Sequence, residues 1–263
     1  MHFVRSGQGR PTLLFVHGLG GRHEDWDGQR EAFESDHEVV ACDLRGHGAT
    51  PGRPDECSIE HCGGDVAALL SHLGLSGAIL IGHSLGCRVV LEAARLDPER
   101  VGGLVLIDGS RQAMGDGDAA EEDARAMLRA RGYEAFMRPF FEAMFLERSA
   151  RSEAVVARAL RLPPVIGTAF FCSMARWDAS RMEAALDAVR APVLVIQCTY
   201  VNTERQRVPL HPGETTPWLD LLRQKISALT EESLPGVGHF PQLEVPDRVE
   251  ALIARFARTL RSS

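Results

Sequence analysis

The sequence predicts an α/β protein: a mostly parallel central sheet with helices on both faces and an inserted helical segment. Two observations predict it. First, short and almost wholly apolar runs at Leu13 to Val16, Val39 to Cys42, Ala78 to Ile81, Leu104 to Ile107 and Val193 to Ile196 alternate with helical patterns. Apolar runs of this kind are strands buried on both faces, and strands separated by helices pair in parallel. Second, the alternation stops between Gln112 and Leu186, where no strand candidate occurs. The chain therefore divides into a core of residues 1–111 and 187–263 and a helical cap of residues 112–186.

The first run leads into His17-Gly18-Leu19-Gly20-Gly21, a tight turn that exposes backbone amides, with Leu19 N–H a candidate donor to an oxyanion. The second leads into Asp43-Leu44-Arg45-Gly46-His47-Gly48. Val66, Leu69, Leu70 and Leu73 then form an amphipathic stripe ahead of the third. Ala78 to Ile81 runs into Gly82-His83-Ser84-Leu85-Gly86, and Leu85, Val89, Ala93 and Leu96 recur on one helical face. Ser84 thus sits at a strand-to-helix turn. Flanking glycines remove the β-carbons that would collide in such a turn, and Leu85 presents its amide at the helix N-terminus.

The fourth run ends at Asp108. In the inserted span, Asp118 with Glu121 and Ser180 with Glu183 fit capping boxes, while Gly132, Pro139, Pro163 and Pro164 divide the helices. Six of the eleven phenylalanines lie there: Phe136, Phe140, Phe141, Phe145, Phe170 and Phe171, joined by Met137, Met144, Met174 and Trp177. We expect an apolar roof over Ser84, with Phe140, Phe141, Phe170 and Trp177 as pocket candidates. Beyond the last apolar run, Thr216 and Pro217 start a helix as cap and first-turn residue, and Val249, Leu252, Ile253, Phe256 and Leu260 stripe the final one. Right-handed crossovers bring the carboxyl ends of the strands, Ser84 among them, to the edge where α/β sheets bind ligands.

Length and composition fit one main domain of 263 residues. A net charge of -7 gives no electrostatic support for a nucleic acid or an anionic membrane, so a small-molecule substrate is the expected partner, with the chain a monomer or homodimer. No stretch approaches about 18 apolar residues and Met1 to Gly21 lacks a small-residue cleavage site, which reads as a soluble cytoplasmic protein. The scattered cysteines (Cys42, Cys57, Cys62, Cys87, Cys172 and Cys198) include no C-x-x-C pair, so reduced thiols and no metal site are expected.

A serine hydroxyl needs a base, and ten histidines compete for that place. His239 is the best candidate, because Gly236-Val237-Gly238-His239-Phe240 forms a glycine-rich loop before the last amphipathic helix. His83 is the neighbour of Ser84 in a tight turn and points elsewhere. His17 and His47 are expected to bond backbone in their glycine loops.

These motifs, His17-Gly18-Leu19-Gly20, Asp43 to Gly48, Gly82 to Gly86 and Gly238-His239-Phe240, stand in an order and spacing that resemble the α/β-hydrolase fold family across all but the cap. The resemblance implies an α/β-hydrolase fold with about eight mostly parallel strands, one leading strand being missing or truncated here. It also implies that the Asp43 to Gly48 segment shapes the site's floor without being catalytic machinery. The family's usual Gly-x-x-Asp turn is absent after Val193 to Ile196, where Gln197-Cys198-Thr199-Tyr200-Val201-Asn202 follows. Two carboxylates compete to replace that acid. Asp108 occupies a rigid strand end, where haloalkane dehalogenases and some other members keep theirs, and Glu204 lies nearer the usual place in sequence.

The implied reaction is cofactor-free acyl transfer to water. Ser84 attacks an ester-like carbonyl, His239 moves the proton, Asp108 or Glu204 orients the imidazole, and the Leu19 and Leu85 amides hold the oxyanion. Carboxylesters and lactones are the expected substrates. A dehalogenase or epoxide hydrolase would need a carboxylate in place of Ser84. Carbon–carbon bond hydrolysis, or a receptor-like relative that binds ligand with little turnover, are the alternatives.

Overall fold

The computed structural model describes residues 1–202 and 206–261. Nine strands occur among them: β1 (Phe3–Ser6), β2 (Leu13–Val16), β3 (Val39–Cys42), β4 (Ala78–His83), β5 (Val101–Ile107), β6 (Val193–Gln197), β7 (Thr199–Val201), β8 (Arg207–Pro209) and β9 (Leu229–Ser233). The helices are α1 (Asp27–Phe33), α2 (Ile59–His72), α3 (Leu85–Leu96), α4 (Gly117–Arg131), α5 (Tyr133–Glu142), α6 (Ala150–Ala159), α7 (Pro164–Ser180), α8 (Met182–Asp187), α9 (Pro217–Lys225), α10 (Pro241–Glu244) and α11 (Pro246–Arg261). Five of the strands coincide with the apolar runs or extend them by a few residues.

The main sheet has the order β1-β3-β2-β4-β5-β6-β9 and is parallel except for β1, which pairs antiparallel with β3. Seven strands replace the eight that the resemblance implies. β1 is the first described strand and holds the edge, while β7 and β8 leave the sheet as a separate antiparallel ribbon.

Pleating sorts the apolar residues between two cores. Leu14, Val16, Val40, Leu80, Leu104, Leu106 and Val195 face α2, α3 and the helices of the inserted span. Leu13, Phe15, Val39, Ile79, Ile81, Val105 and Ile196 face α1 and α11 through Phe33, Val249, Ile253 and Phe256. The sheet is therefore covered on both sides, which is why its central strands carry no polar alternation.

α4 to α8 lie between β5 and β6, the span where the sequence offers no strand. Two expected caps are displaced. Asp116, not Asp118, accepts the Ala119 amide at the start of α4, 2.8 Å away. Ser180 ends α7 with its hydroxyl donating back to the Arg176 carbonyl, so it starts nothing. Thr216 does cap α9, with Pro217 in its first turn. No single helix among the described residues is long and apolar enough to cross a membrane.

Candidate active site

Among the described residues, Ser84 and Asp108 are the non-glycine residues with positive φ, at 56° and 47°. Each follows the last residue of a central strand, β4 or β5. Their backbones are pinned there, because the Ser84 amide donates to the Ile107 carbonyl (3.0 Å) and the Asp108 amide to that of Ile196 (2.8 Å). Held strain of this kind concentrates at functional positions. The turn at Ser84 tolerates no side chain on either flank: a β-carbon on Gly82 would lie 2.4 Å from the Gly86 carbonyl oxygen, and one on Gly86 2.4 Å from that of Val16.

His239 joins the two strand ends. Its Nε2 lies 2.8 Å from Ser84 Oγ and its Nδ1 2.5 Å from Asp108 Oδ2. The loop carrying it is fixed by main-chain contacts: the His239 amide donates to the Met144 carbonyl (2.7 Å), and His83 Nε2 donates to the His239 carbonyl (2.7 Å). Glu244 accepts the Gly238 and Phe240 amides on either side. His83 is thus a backbone clamp, and burial first, with repulsion from His239, holds its pKa down to about 3. His17 and His47 serve similarly, each donating to a nearby carbonyl and accepting an amide, from Leu44 and Gly20 respectively.

Asp108 is fully buried and richly bonded. Its Oδ1 accepts the Cys198 and Thr199 amides (2.7 and 2.8 Å), and its Oδ2 accepts the Thr199 hydroxyl (2.5 Å) beside the imidazole. Arg207 Nη1 stands 3.4 Å from the same Oδ2. Burial pushes this carboxyl up from the ordinary range, against the pull of Arg207 and Thr199. Burial also holds His239 well below its usual value, reinforced by the positive charges of Arg207 and Arg88. Glu204, the other candidate acid, lies outside the described residues.

Leu85 is the first residue of α3, so its amide has no acceptor within the helix. The His17 to Gly21 turn presses against Ser84 so closely that a β-carbon on Gly18 would meet Ser84 Cβ at 3.1 Å, and Leu19 lines the space above the hydroxyl. Gly18, Leu19, His83, His239 and Phe240 border that space from the core; Phe140, Met144 and Met174 close it from above. The space they leave is about 10 Å³, room for one water.

Of the four pocket candidates, Phe140 alone borders this space. Phe141 is buried against the turn at Gly20, near Ala159 of α6. Phe170 packs on the His47 ring, with centroids 5.1 Å apart. Trp177 faces α3, its indole N–H donating to Glu92 at 3.4 Å. These three cement the inserted helices to the core: Phe141 ties α5 to the Gly20 turn, while Phe170 and Trp177 tie α7 to His47 and to Glu92 of α3. Gln112, Met144, Met174, Arg207 and Phe240 take the places left. The methionines belong to the apolar set legible in the inserted span, whereas nothing in the local sequence distinguishes Arg207.

Comparison with known proteins agrees with this architecture. The profile described as "Alpha/beta hydrolase family" matches residues 13–252. The chain is 38% identical over 105 residues to a dihydrolipoyllysine-residue acetyltransferase component of an acetoin cleaving system from Pseudomonas putida, covering 40% of this chain and 28% of that protein. It therefore spans under a third of that relative's length. It is 30% identical over 211 residues to the putative carbamate hydrolase RutD of Rhizobium rhizogenes, covering 74% and 78% of the two chains. A thermophilic esterase from Thermogutta terrifontis, solved with malate bound, matches with a TM-score of 0.78, 27% identity and coverage of 98% and 93%. On these matches and this strand order, the chain belongs to the alpha/beta hydrolase family.

Proposed function

We propose that this protein is a serine hydrolase that cleaves an ester-like bond through an acyl-enzyme. The observation that carries the reading is the unbroken line of hydrogen bonds from Ser84 Oγ through His239 to Asp108. In the first half-reaction His239 Nε2 takes the hydroxyl proton as Ser84 Oγ bonds to the carbonyl carbon. Asp108, held by Cys198 and Thr199, fixes the ring with Nε2 toward the serine and favours the imidazolium that forms. The Leu19 and Leu85 amides receive the oxyanion at the positive end of α3. As the tetrahedral adduct collapses, the leaving alkoxide takes the proton from Nε2. Water then repeats the sequence on the acyl-enzyme, releasing the acid and restoring Ser84.

The apolar lining from Leu19, Phe140, Met144, Met174 and Phe240 suits a small carboxylester or lactone with an apolar portion, and the roof must move aside to admit it. The test is hydrolysis of p-nitrophenyl acetate and butyrate by the wild-type protein beside Ser84→Ala. We expect the variant to lose at least about 10³-fold in kcat. Equal hydrolysis by both proteins would overturn the reading and favour a ligand-binding relative.

A further inference from the structure

Arg207 is the buried group that this mechanism leaves unexplained. Its side chain is 6% exposed, at the start of β8, and it borders the same space as Ser84 and His239. Burying a cation is costly unless it is fully paired. The pairing here is partial. Nη1 donates to the Thr199 hydroxyl at 2.7 Å and reaches Asp108 at only 3.4 Å, without the two-pronged geometry of a well-formed arginine–carboxylate pair. Asp108 meanwhile has four shorter contacts of its own. Among the described residues, neither Nε nor Nη2 of Arg207 has an acceptor within hydrogen-bonding distance. A guanidinium carries five N–H groups in a fixed plane, so among the described residues the fork formed by Nε and Nη2 is left without a protein acceptor.

The nearby cation gives a useful contrast. Arg88 is also buried, but Asp178 takes its Nε and Nη2 at 2.7 and 2.6 Å, and the Ser110 carbonyl accepts from Nη2 at 2.9 Å. Arg88 is a structural tie. Arg207 instead combines a fork unpaired among the described residues, a place on the reaction cavity and an otherwise largely apolar wall.

We propose that Arg207 is a specificity-determining residue that binds a carboxylate on the substrate, making the preferred substrates half-esters of small dicarboxylic acids or similarly anionic esters. This rests on the serine-hydrolase reading for the identity of the bond cleaved, though not for the binding of the anion. The acyl carbonyl sits at Ser84, while the second carboxylate meets the Nε and Nη2 edge of the guanidinium. The apolar wall then covers the methylenes between them.

Matched pairs of esters test this directly: monoethyl succinate against ethyl butyrate, and monoethyl glutarate against ethyl valerate, with acid release followed in a pH-stat. Each pair differs by the terminal carboxylate. The wild-type protein should favour the charged member by tenfold or more in kcat/KM. In Arg207→Gln that preference should fall at least tenfold, mostly through KM, and Arg207→Lys should restore part of it. A merely structural role for Arg207 would depress both esters together and leave their ratio unchanged.

A second measurement does not depend on turnover. Free succinate should raise the Tm of Ser84→Ala and fail to raise that of Ser84→Ala with Arg207→Gln. A wild-type preference for the neutral esters, or the same ratio with and without Arg207, would overturn the proposal even if hydrolysis is fast. Absence of hydrolysis of all four esters with Arg207-dependent stabilisation by succinate would instead sink the hydrolase reading and retain the anion subsite.

Discussion

In the proposed mechanism Asp108, at the end of β5, stands in for the acid that the family resemblance leads one to expect after the next strand. Its carboxylate lies at the end of β5, oriented by two amides and a hydroxyl from the Cys198 to Thr199 step, so the imidazole meets a rigid acceptor. Asp108→Asn keeps the shape but can donate where it must accept, favouring the wrong imidazole tautomer. We expect a loss of kcat of about 10³- to 10⁴-fold, measured on p-nitrophenyl butyrate, with Glu204→Gln losing less than about tenfold. The reverse ranking would overturn the assignment of the acid. At the same scale, burial and then the Arg207 charge hold His239 below its ordinary 6.5, and only the neutral ring can accept the serine proton. The acid limb of kcat/KM should therefore fall below pH 6.5. Removing a neighbouring positive charge makes the imidazolium less unfavourable, so Arg207→Gln should move that limb upward; a neutral ester isolates the effect from substrate charge. A limb that stays in place would show that Arg207 does not act on His239.

Between elements, the Arg88–Asp178 pair binds α3, which carries the candidate nucleophile at its start, to α7 in the roof. Both side chains are almost wholly buried, and Asp178 also accepts the Gln112 amide at 2.7 Å where the inserted span begins. Taking away one partner leaves an uncompensated charge in the interior. Arg88→Met should therefore lower unfolding stability by about 3–5 kcal/mol in urea titrations, while Arg88→Met combined with Asp178→Leu should recover much of the loss. Strict additivity of the two substitutions would mean that the pair is not coupled. The element scale also explains which strands were hidden in the sequence. β9 reads Leu-Thr-Glu-Glu-Ser and is half exposed at the sheet edge, so it lacks the apolar run that marks its neighbours. β7 and β8 are three-residue segments whose pairing depends on each other, and β1 is an edge strand of mixed character.

For the whole molecule, the imidazoles of His17, His47, His83 and His239 are all buried, and burial is the largest cause of every downward shift: to about 3 for His17, about 4 for His47 and about 3 for His83. The sign follows from proton uptake. Between about pH 6.5 and 4 the unfolded chain protonates these rings while the folded protein does not, so acid favours unfolding. Asp25, Asp108 and Asp178 are shifted upward by burial even beside Arg158, Arg207 and Arg88, as are Glu244 and Glu250, so these carboxyls act in the opposite sense and soften the fall that the four imidazoles impose. The urea midpoint should therefore drop steadily from pH 7 to pH 4. A midpoint that is flat across that window would mean that the histidines carry no net linkage.

The sequence by itself determined the layered α/β plan, the strand-to-helix turn at Ser84, the late glycine loop at His239 and the strand-end position of Asp108. Each is written in contiguous residues, through apolar runs, helical spacing and glycines where β-carbons cannot fit. Only the tertiary structure decided which side chains meet across that plan. It turned three of the four aromatic pocket candidates toward the core, because a buried helix hides which of its apolar sides faces a cavity and which faces a neighbour. It also brought Arg207, 99 positions from Asp108, to the edge of the same space. A charge in a short two-stranded ribbon carries no local mark of burial; only the packing of β7 and β8 beside Asp108 makes it part of the site.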